Sequence, residues 1–255
     1  MLSRIARYWR VFGTGLSFVA VGAGGVLIFP VVNIFVRSRE RRLEVSRRMI
    51  KVSFQCIVGV MSWMGVFRYE ISGLQRLERK GLLILANHPT LIDIVFLMAF
   101  VEHADCIVKG ALSRNPFTHA TIRAAAYIRN DDYGAQLIED CVGALRRGSN
   151  LIVFPEGTRT PADGSIILKR GAANIAVRGL CNITPVVIRC APPMLAKGEK
   201  WWRLPFRPSQ FNIEVKQDLD TRAFIAAAGS EVLAVRRLTD YLQKYFTREQ
   251  HHAER

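Results

Sequence analysis

Two short segments of this 255-residue chain hold the side chains best suited to proton transfer and anion binding. The first is Asn87-His88-Pro89-Thr90-Leu91-Ile92-Asp93. Histidine titrates near neutrality, so His88 can take or give a proton at working pH. Along an unbroken helix five residues turn through about 140°, which would separate His88 from Asp93. Pro89 instead places His88 in the turn before a helix, with Asp93 in its first turns. The carboxylate can then reach back to an imidazole nitrogen, fix the tautomer and raise the basicity of the other nitrogen. A His–Asp pair without a protein nucleophile needs a substrate that brings one, most simply a hydroxyl. Taken alone, the same residues also fit a helix cap followed by a first-turn acid favoured by the helix dipole.

The second segment is Phe154-Pro155-Glu156-Gly157-Thr158-Arg159-Thr160. Pro and Gly shape a turn, Glu156 can orient its neighbours, and Arg159 with exposed backbone N–H groups can hold a phosphate. Alone it fits a solvent-facing strand–helix loop equally well. Other chemistries lack their supports. The chain has no G-x-S-x-G elbow, no G-x-x-x-x-G-K-[ST] phosphate loop, no H-E-x-x-H and no G-x-G-x-x-G after a strand. Its five cysteines are scattered, with no Cys/His cluster at zinc spacing, so neither a metal site nor a disulfide framework is expected.

Both segments follow apolar, β-branched runs. Residues 82–86 and 150–154 predict buried strands, which puts His88 and Glu156 at strand C-terminal ends, where α/β sites form. Further strands are expected at 106–110, 125–130, 183–190 and 211–217, and helices at 91–101, 135–148, 168–179 and 230–246. Strands alternating with helices predict an α/β fold, a mostly parallel or mixed sheet flanked by helices. The 191–210 stretch, with four prolines and the Trp201-Trp202 pair, reads as a long loop, either near a membrane or at a substrate mouth.

The N-terminal part differs. The chain carries 36 Lys+Arg against 21 Asp+Glu, a net +15 that points to an anionic partner. Residues 1–51 hold ten basic side chains against two acids, Glu40 and Glu44, a net +8. Between Arg10 and Arg37 runs an uncharged stretch, 11–36, about 39 Å long as a helix and long enough for a bilayer core of about 30 Å. Five glycines and Pro30 in it suit either a span or a bent re-entrant hairpin. No clean A-x-A site follows, so a retained anchor is favoured over a cleaved signal peptide or a helix buried in the fold. The apolar stretch 52–67 is short for a span and suits an interfacial or buried helix. The division expected is a membrane-anchoring helical segment at 1–67 and a second domain at 68–255. Seven basic residues follow the apolar run and three precede it, which puts the bulk of the chain on the cytoplasmic face of the membrane. The basic residues flank an apolar run and do not interleave with stacking aromatics, which argues against nucleic acid.

Together the two segments resemble the glycerolipid acyltransferases: the 1-acyl-sn-glycerol-3-phosphate acyltransferases and related lysophospholipid acyltransferases. The family's Asn-His-x-x-x-x-Asp motif is matched at Asn87, His88 and Asp93, and its Phe-Pro-Glu-Gly-Thr-Arg motif at 154–159 without a gap. Lys109 with Leu112, Pro116 and Phe117, then Arg129, then Thr184-Pro185-Val186 resemble the remaining motifs more weakly. Ala124, Ala125 and Ala126 stand where the second motif usually has a glycine, a departure that bears on headgroup preference. The resemblance implies transfer of a fatty acyl group from acyl-CoA or acyl-carrier protein to a lysolipid hydroxyl, with 1-acyl-sn-glycerol-3-phosphate as the default acceptor. It implies His88 as general base held by Asp93. Lys109, Arg129, Glu156, Gly157, Thr158 and Arg159 would bind substrate, with no metal or other cofactor and with membrane phospholipids as surroundings. A different lysolipid acceptor, or a non-catalytic lipid-binding scaffold, is the alternative; intact His88, Asp93 and Glu156 oppose the scaffold.

Overall fold

The computed structural model describes residues 2–130, 134–161 and 163–251. Among them, seven strands form one sheet in the order β1-β7-β6-β2-β5-β3-β4. The strands are β1 (Phe67–Ser72), β2 (Leu83–Ala86), β3 (Ala104–Lys109), β4 (Ile128–Asn130), β5 (Asn150–Val153), β6 (Ile183–Ala191) and β7 (Ser209–Val215). Every neighbouring pair is parallel except β6 and β7, so the sheet is mixed, as the alternation of elements predicts. β2 lies at the centre, with Leu85 opposite Val153 of β5 and Ala86 opposite Val186 of β6. All four residues of β2 and all four of β5 are buried, which is why both read as continuous apolar runs.

Alternation along β2 divides the core between two faces. Ile84 and Ala86 pack with α2 (Arg39–Trp63), α3 (Asp93–Phe100) and α5 (Pro116–Ala125) through Val58, Met61, Phe96 and Ile122. Leu83 and Leu85 face α6 (Gly134–Arg146), α7 (Gly171–Gly179) and α9 (Glu231–His251) through Ile138, Ile175, Leu238 and Phe246. At the strand starts, buried Asn150 accepts from Leu82 N at 2.9 Å and donates to Arg79 O and Glu102 O at 2.7 and 2.9 Å.

α1 (Leu2–Phe35) is one helix, Pro30 included, and joins α2 in a helical hairpin. It is long and apolar enough to cross a bilayer, and only 17% of its most apolar window is buried, unlike the core helix of a soluble protein. The buried part packs through close approaches that glycine permits. A Cβ on Gly13 would lie 2.7 Å from Met64 Sδ, and one on Gly15 would lie 3.2 Å from the Trp201 ring. Gly13 and Gly15 therefore seat neighbours on a continuous helix.

Boundaries differ from those expected where local sequence is ambiguous. Residues 125–130 do not form one strand: Ala125 ends α5, Ala126 turns the chain with φ 50°, and β4 begins only at Ile128. Alanine favours helix, so the helix extends through Ala124 and Ala125. β1 was not among the expected strands, although Phe67, Tyr69 and Ile71 alternate with Arg68, Glu70 and Ser72 along this edge strand. Gly148, with φ 85°, follows α6 as its expected stop.

Candidate active site

The parallel order β6-β2-β5 sets the C-terminal ends of β2 and β5 side by side, so the segments after them meet. Asn87 fixes the first segment. Its side chain donates to Ile188 O at 2.8 Å and accepts from Ile188 N at 2.7 Å, continuing the β2–β6 ladder with an amide that mimics backbone. The two segments then bind each other: His88 N donates to Glu156 Oε1 at 2.9 Å, and Thr160 N donates to His88 O at 2.7 Å.

Asp93 opens α3 and turns back on the imidazole. His88 Nδ1 lies 2.8 Å from Asp93 Oδ2, and that oxygen also accepts from Thr90 N at 2.7 Å. Thr90 Oγ1 donates to Asp93 Oδ1 at 2.5 Å. With Asp93 ionised its carboxylate only accepts, which assigns the imidazole proton to Nδ1 and the lone pair to Nε2. The ring stacks on Phe154 with centroids 4.0 Å apart and planes 19° apart. Asp93 is completely buried, whereas the His88 side chain keeps 17% of its surface. His88 is thus held through its backbone N–H, its carbonyl, Nδ1 and one ring face. A ring so fixed can accept a proton at Nε2 from a group brought to it.

Burial pushes the Asp93 carboxyl above its ordinary range, while the bonds from His88 and Thr90 pull the other way. Burial likewise raises Glu156, against the bonds from His88 N and Thr160 Oγ1. Glu156 Oε2 is buried and has no hydrogen-bond partner among the described residues. Burial pushes the Cys190 thiol up to about 12, which disfavours its thiolate.

The remaining sequence-predicted residues are arranged unequally. Gly157 sits beside Glu156 with φ 69°, and a Cβ there would lie 3.0 Å from the Lys169 stem, so the turn suits glycine alone. Thr158 is half-buried in the same turn. Arg159 does not contact Glu156: its Nη1 donates to Leu195 O and Ala196 O, both at 2.9 Å, leaving Nε and Nη2 outside these bonds. Lys109 ends β3 at the same sheet edge, two strands from β2, about 10 Å at the usual spacing. Arg129 stands on β4, three strands from β2, and lines a separate cavity of about 1130 Å³ with Arg39, Arg47, Asp105 and Tyr127. That cavity opens between α2 and the opposite edge of the sheet, where Arg47 pairs with buried Asp105 at 2.6 Å.

Sequence reasoning missed several members of the site. Thr90 and Thr160 lie within the motifs, but nothing in their types distinguishes them from ordinary turn residues. Lys169, whose N donates to Pro155 O at 2.8 Å, brings a cation over the Gly157 turn from a later segment.

The chain is similar in sequence and fold to known proteins. Residues 68–189 match the family model described as Acyltransferase. A 1-acyl-sn-glycerol-3-phosphate acyltransferase from Pseudomonas aeruginosa is 30% identical over 124 residues, 47% of this chain and 48% of that protein. One from Helicobacter pylori is 28% identical over 176 residues, 67% of this chain and 68% of that protein. The chain spans about half the length of the first curated relatives it matches. The crystal structure of a 1-acyl-sn-glycerophosphate acyltransferase from Thermotoga maritima superposes with a TM-score of 0.70 and 21% identity, covering 99% of this chain and 98% of that one, which establishes the shared fold.

Proposed function

We propose, from the premise that residues 68–189 are an Acyltransferase-family domain, that the protein transfers a fatty acyl group from an acyl thioester, acyl-CoA or acyl-carrier protein, to the free hydroxyl of a lysophospholipid. The names of the relatives point to 1-acyl-sn-glycerol-3-phosphate as acceptor and phosphatidic acid as product. The observation that carries the reading is the 2.8 Å bond from His88 Nδ1 to buried Asp93, which leaves Nε2 as a base at a strand end.

In this reading the acceptor hydroxyl gives its proton to His88 Nε2 as its oxygen attacks the thioester carbonyl carbon. Asp93 stabilises the imidazolium that forms. Backbone N–H groups of the turn meet the charge on the carbonyl oxygen. The C–S bond then breaks, and the departing thiolate takes the proton back from His88. Ester and free thiol leave together, and no metal or redox group enters the balance. Glu156 acts by position, holding the His88 backbone. The Nε and Nη2 of Arg159, with Lys169 over the Gly157 turn and Lys109 at the neighbouring strand end, supply charge for the acceptor phosphate.

α1 supports a membrane location, since a cytosolic thioester must meet an acceptor that stays in the bilayer. The basic stretch 37–51 supports a position of the domain on the cytoplasmic face, against anionic headgroups. The test is transfer from labelled acyl-CoA and acyl-carrier protein to a panel of lysophospholipids and one phosphate-free acceptor. Labelled phosphatidic acid is expected. Transfer to the phosphate-free acceptor alone would remove the phosphate role from Arg159 and the lysines, and transfer to none would overturn the reading.

A further inference from the structure

The loop joining β6 to β7, residues 192–208, carries an uncommon surface. Trp201, Trp202 and Phe206 are exposed by 40%, 48% and 64%. Lys197, Lys200, Arg203 and Arg207 stand among them, against the single acid Glu199, whose carboxylate accepts from Ala196 N at 3.0 Å within the loop. Lys200 Nζ lies 5.3 Å above the Trp202 ring. Exposed aromatics of this size on a soluble surface mark a docking site, and Trp beside Lys or Arg is the composition of a membrane interface.

The loop is anchored at both ends. On its buried side Met194, Leu195 and Leu204 enter the core. Toward α1, buried Arg10 donates from Nη1 to Pro205 O at 3.2 Å and from Nη2 to Phe206 O at 2.6 Å. Arg7 lies 4.9 Å over the Phe206 ring, and Phe18 meets Trp201 edge-on at 6.3 Å. The same end of α1 exposes Tyr8, Trp9 and Phe12. The aromatics are therefore displayed on a preformed surface continuous with the helix that suits a bilayer. Toward the site, Leu195 O accepts from Leu91 N at 3.1 Å as well as from Arg159. Leu91 follows His88 by three residues, so one carbonyl joins the loop to both motif segments.

We propose that loop 192–208 and the first turns of α1 form one lipid-docking surface at the mouth of the site, seated on an anionic bilayer, and that Arg159 is the positioning residue that couples this surface to the turn carrying His88. The proposal rests on the bilayer placement of α1 given above. An anionic bilayer is favoured over an acidic carrier protein because the basic groups surround exposed tryptophans and the surface continues into an apolar helix.

The experiment uses the full chain in phosphatidylglycerol-containing vesicles, with Trp fluorescence and brominated lipids. One variant keeps only Trp202, with Trp9, Trp63 and Trp201 replaced by Phe; a companion keeps only Trp9. Trp202 emission should shift to the blue and be quenched most by lipids brominated near the headgroup, equally so with His88→Ala added. Trp202 that stays red and answers only to aqueous acrylamide, while Trp9 answers to bromolipid, would overturn the docking surface. Silence from both would overturn it together with the bilayer placement of α1, and acyl transfer in detergent, measured separately, would tell that failure from failure of the chemistry. Protection of Trp202 from acrylamide by acyl-carrier protein without bromolipid quenching would assign the surface to the carrier instead. Arg159→Ala should reduce Trp202 quenching and raise the acceptor KM in vesicles more than in detergent, with Arg159→Lys restoring part of both. An unchanged Trp202 response in Arg159→Ala would leave Arg159 a phosphate ligand and remove the coupling.

Discussion

Glu156 combines burial, a raised carboxyl and an oxygen without a partner, so its charge is costly to the fold. A carboxyl raised in the folded state keeps its proton over a pH range where the unfolded chain has lost it. Stability therefore falls as pH rises from the ordinary value of 4.5 through the raised one. Glu156→Gln retains an oxygen for His88 N and Thr160 Oγ1 and removes the charge. Its melting temperature relative to wild type should rise as pH increases above the ordinary carboxyl value of 4.5, a trend that thermal scans check. The same variant should keep far more activity than Glu156→Ala, which frees the His88 backbone and should cost roughly 100-fold in kcat; equal losses would give the charge itself a chemical role. Asp93→Asn should leave the fold intact and lower kcat by about 100-fold or more, because an amide can present its donor to Nδ1 and displace the proton to Nε2. At this scale the sequence was informative where partners are near in the chain. His88 and Asp93, five residues apart, and the 154–159 turn are read directly. The bonds from Arg159 to Leu195 and Ala196 span 36 and 37 residues, and no spacing rule exposes them.

Elements place these residues through strand order and tight turns. Gly73 shows how little freedom the sheet edge allows: its φ is 73°, and a Cβ there would lie 2.3 Å from Val215 O of β7. Gly73→Ala should destabilise the protein by more than the roughly 1 kcal/mol of a left-handed alanine, because the listening neighbour is backbone and cannot rotate away. Chemical denaturation checks this, and a loss below that figure would mean β1 shifts at little cost. Buried strands β2, β5 and β6 are legible because both faces are largely covered and the runs are mainly apolar. β1 was overlooked although Phe67, Tyr69 and Ile71 alternate with Arg68, Glu70 and Ser72, because Phe67 reads as the end of the apolar stretch 52–67. The pairing of β6 with β7 antiparallel, which closes the long loop over the site, follows from tertiary contacts that periodicity does not encode.

On the scale of the whole molecule, charge and apolar surface act together. In the proposed membrane placement, the basic residues flanking α1 draw the chain to anionic lipid, and the largely uncovered helix holds it there. Washing membranes with about 1 M salt, which shortens the screening length to about 3 Å, should leave the protein bound, and detergent should release it. Release by salt alone would mean that charge, not α1, retains it. The apolar run and its basic flanks were plain in the sequence. The seating of Gly13 on Met64 and of Gly15 on Trp201 was not, because it joins residues from three separate segments. The proposed function rests on one claim, that His88 Nε2 takes the proton of a lysophospholipid hydroxyl. The most direct test is release of free thiol and formation of labelled phosphatidic acid by purified wild type and His88→Ala, with folding of both confirmed by matching melting curves. The wild type should form product with one thiol released per ester, and the variant should be slower by about 1,000-fold or more. Equal rates in the two proteins would contradict the account.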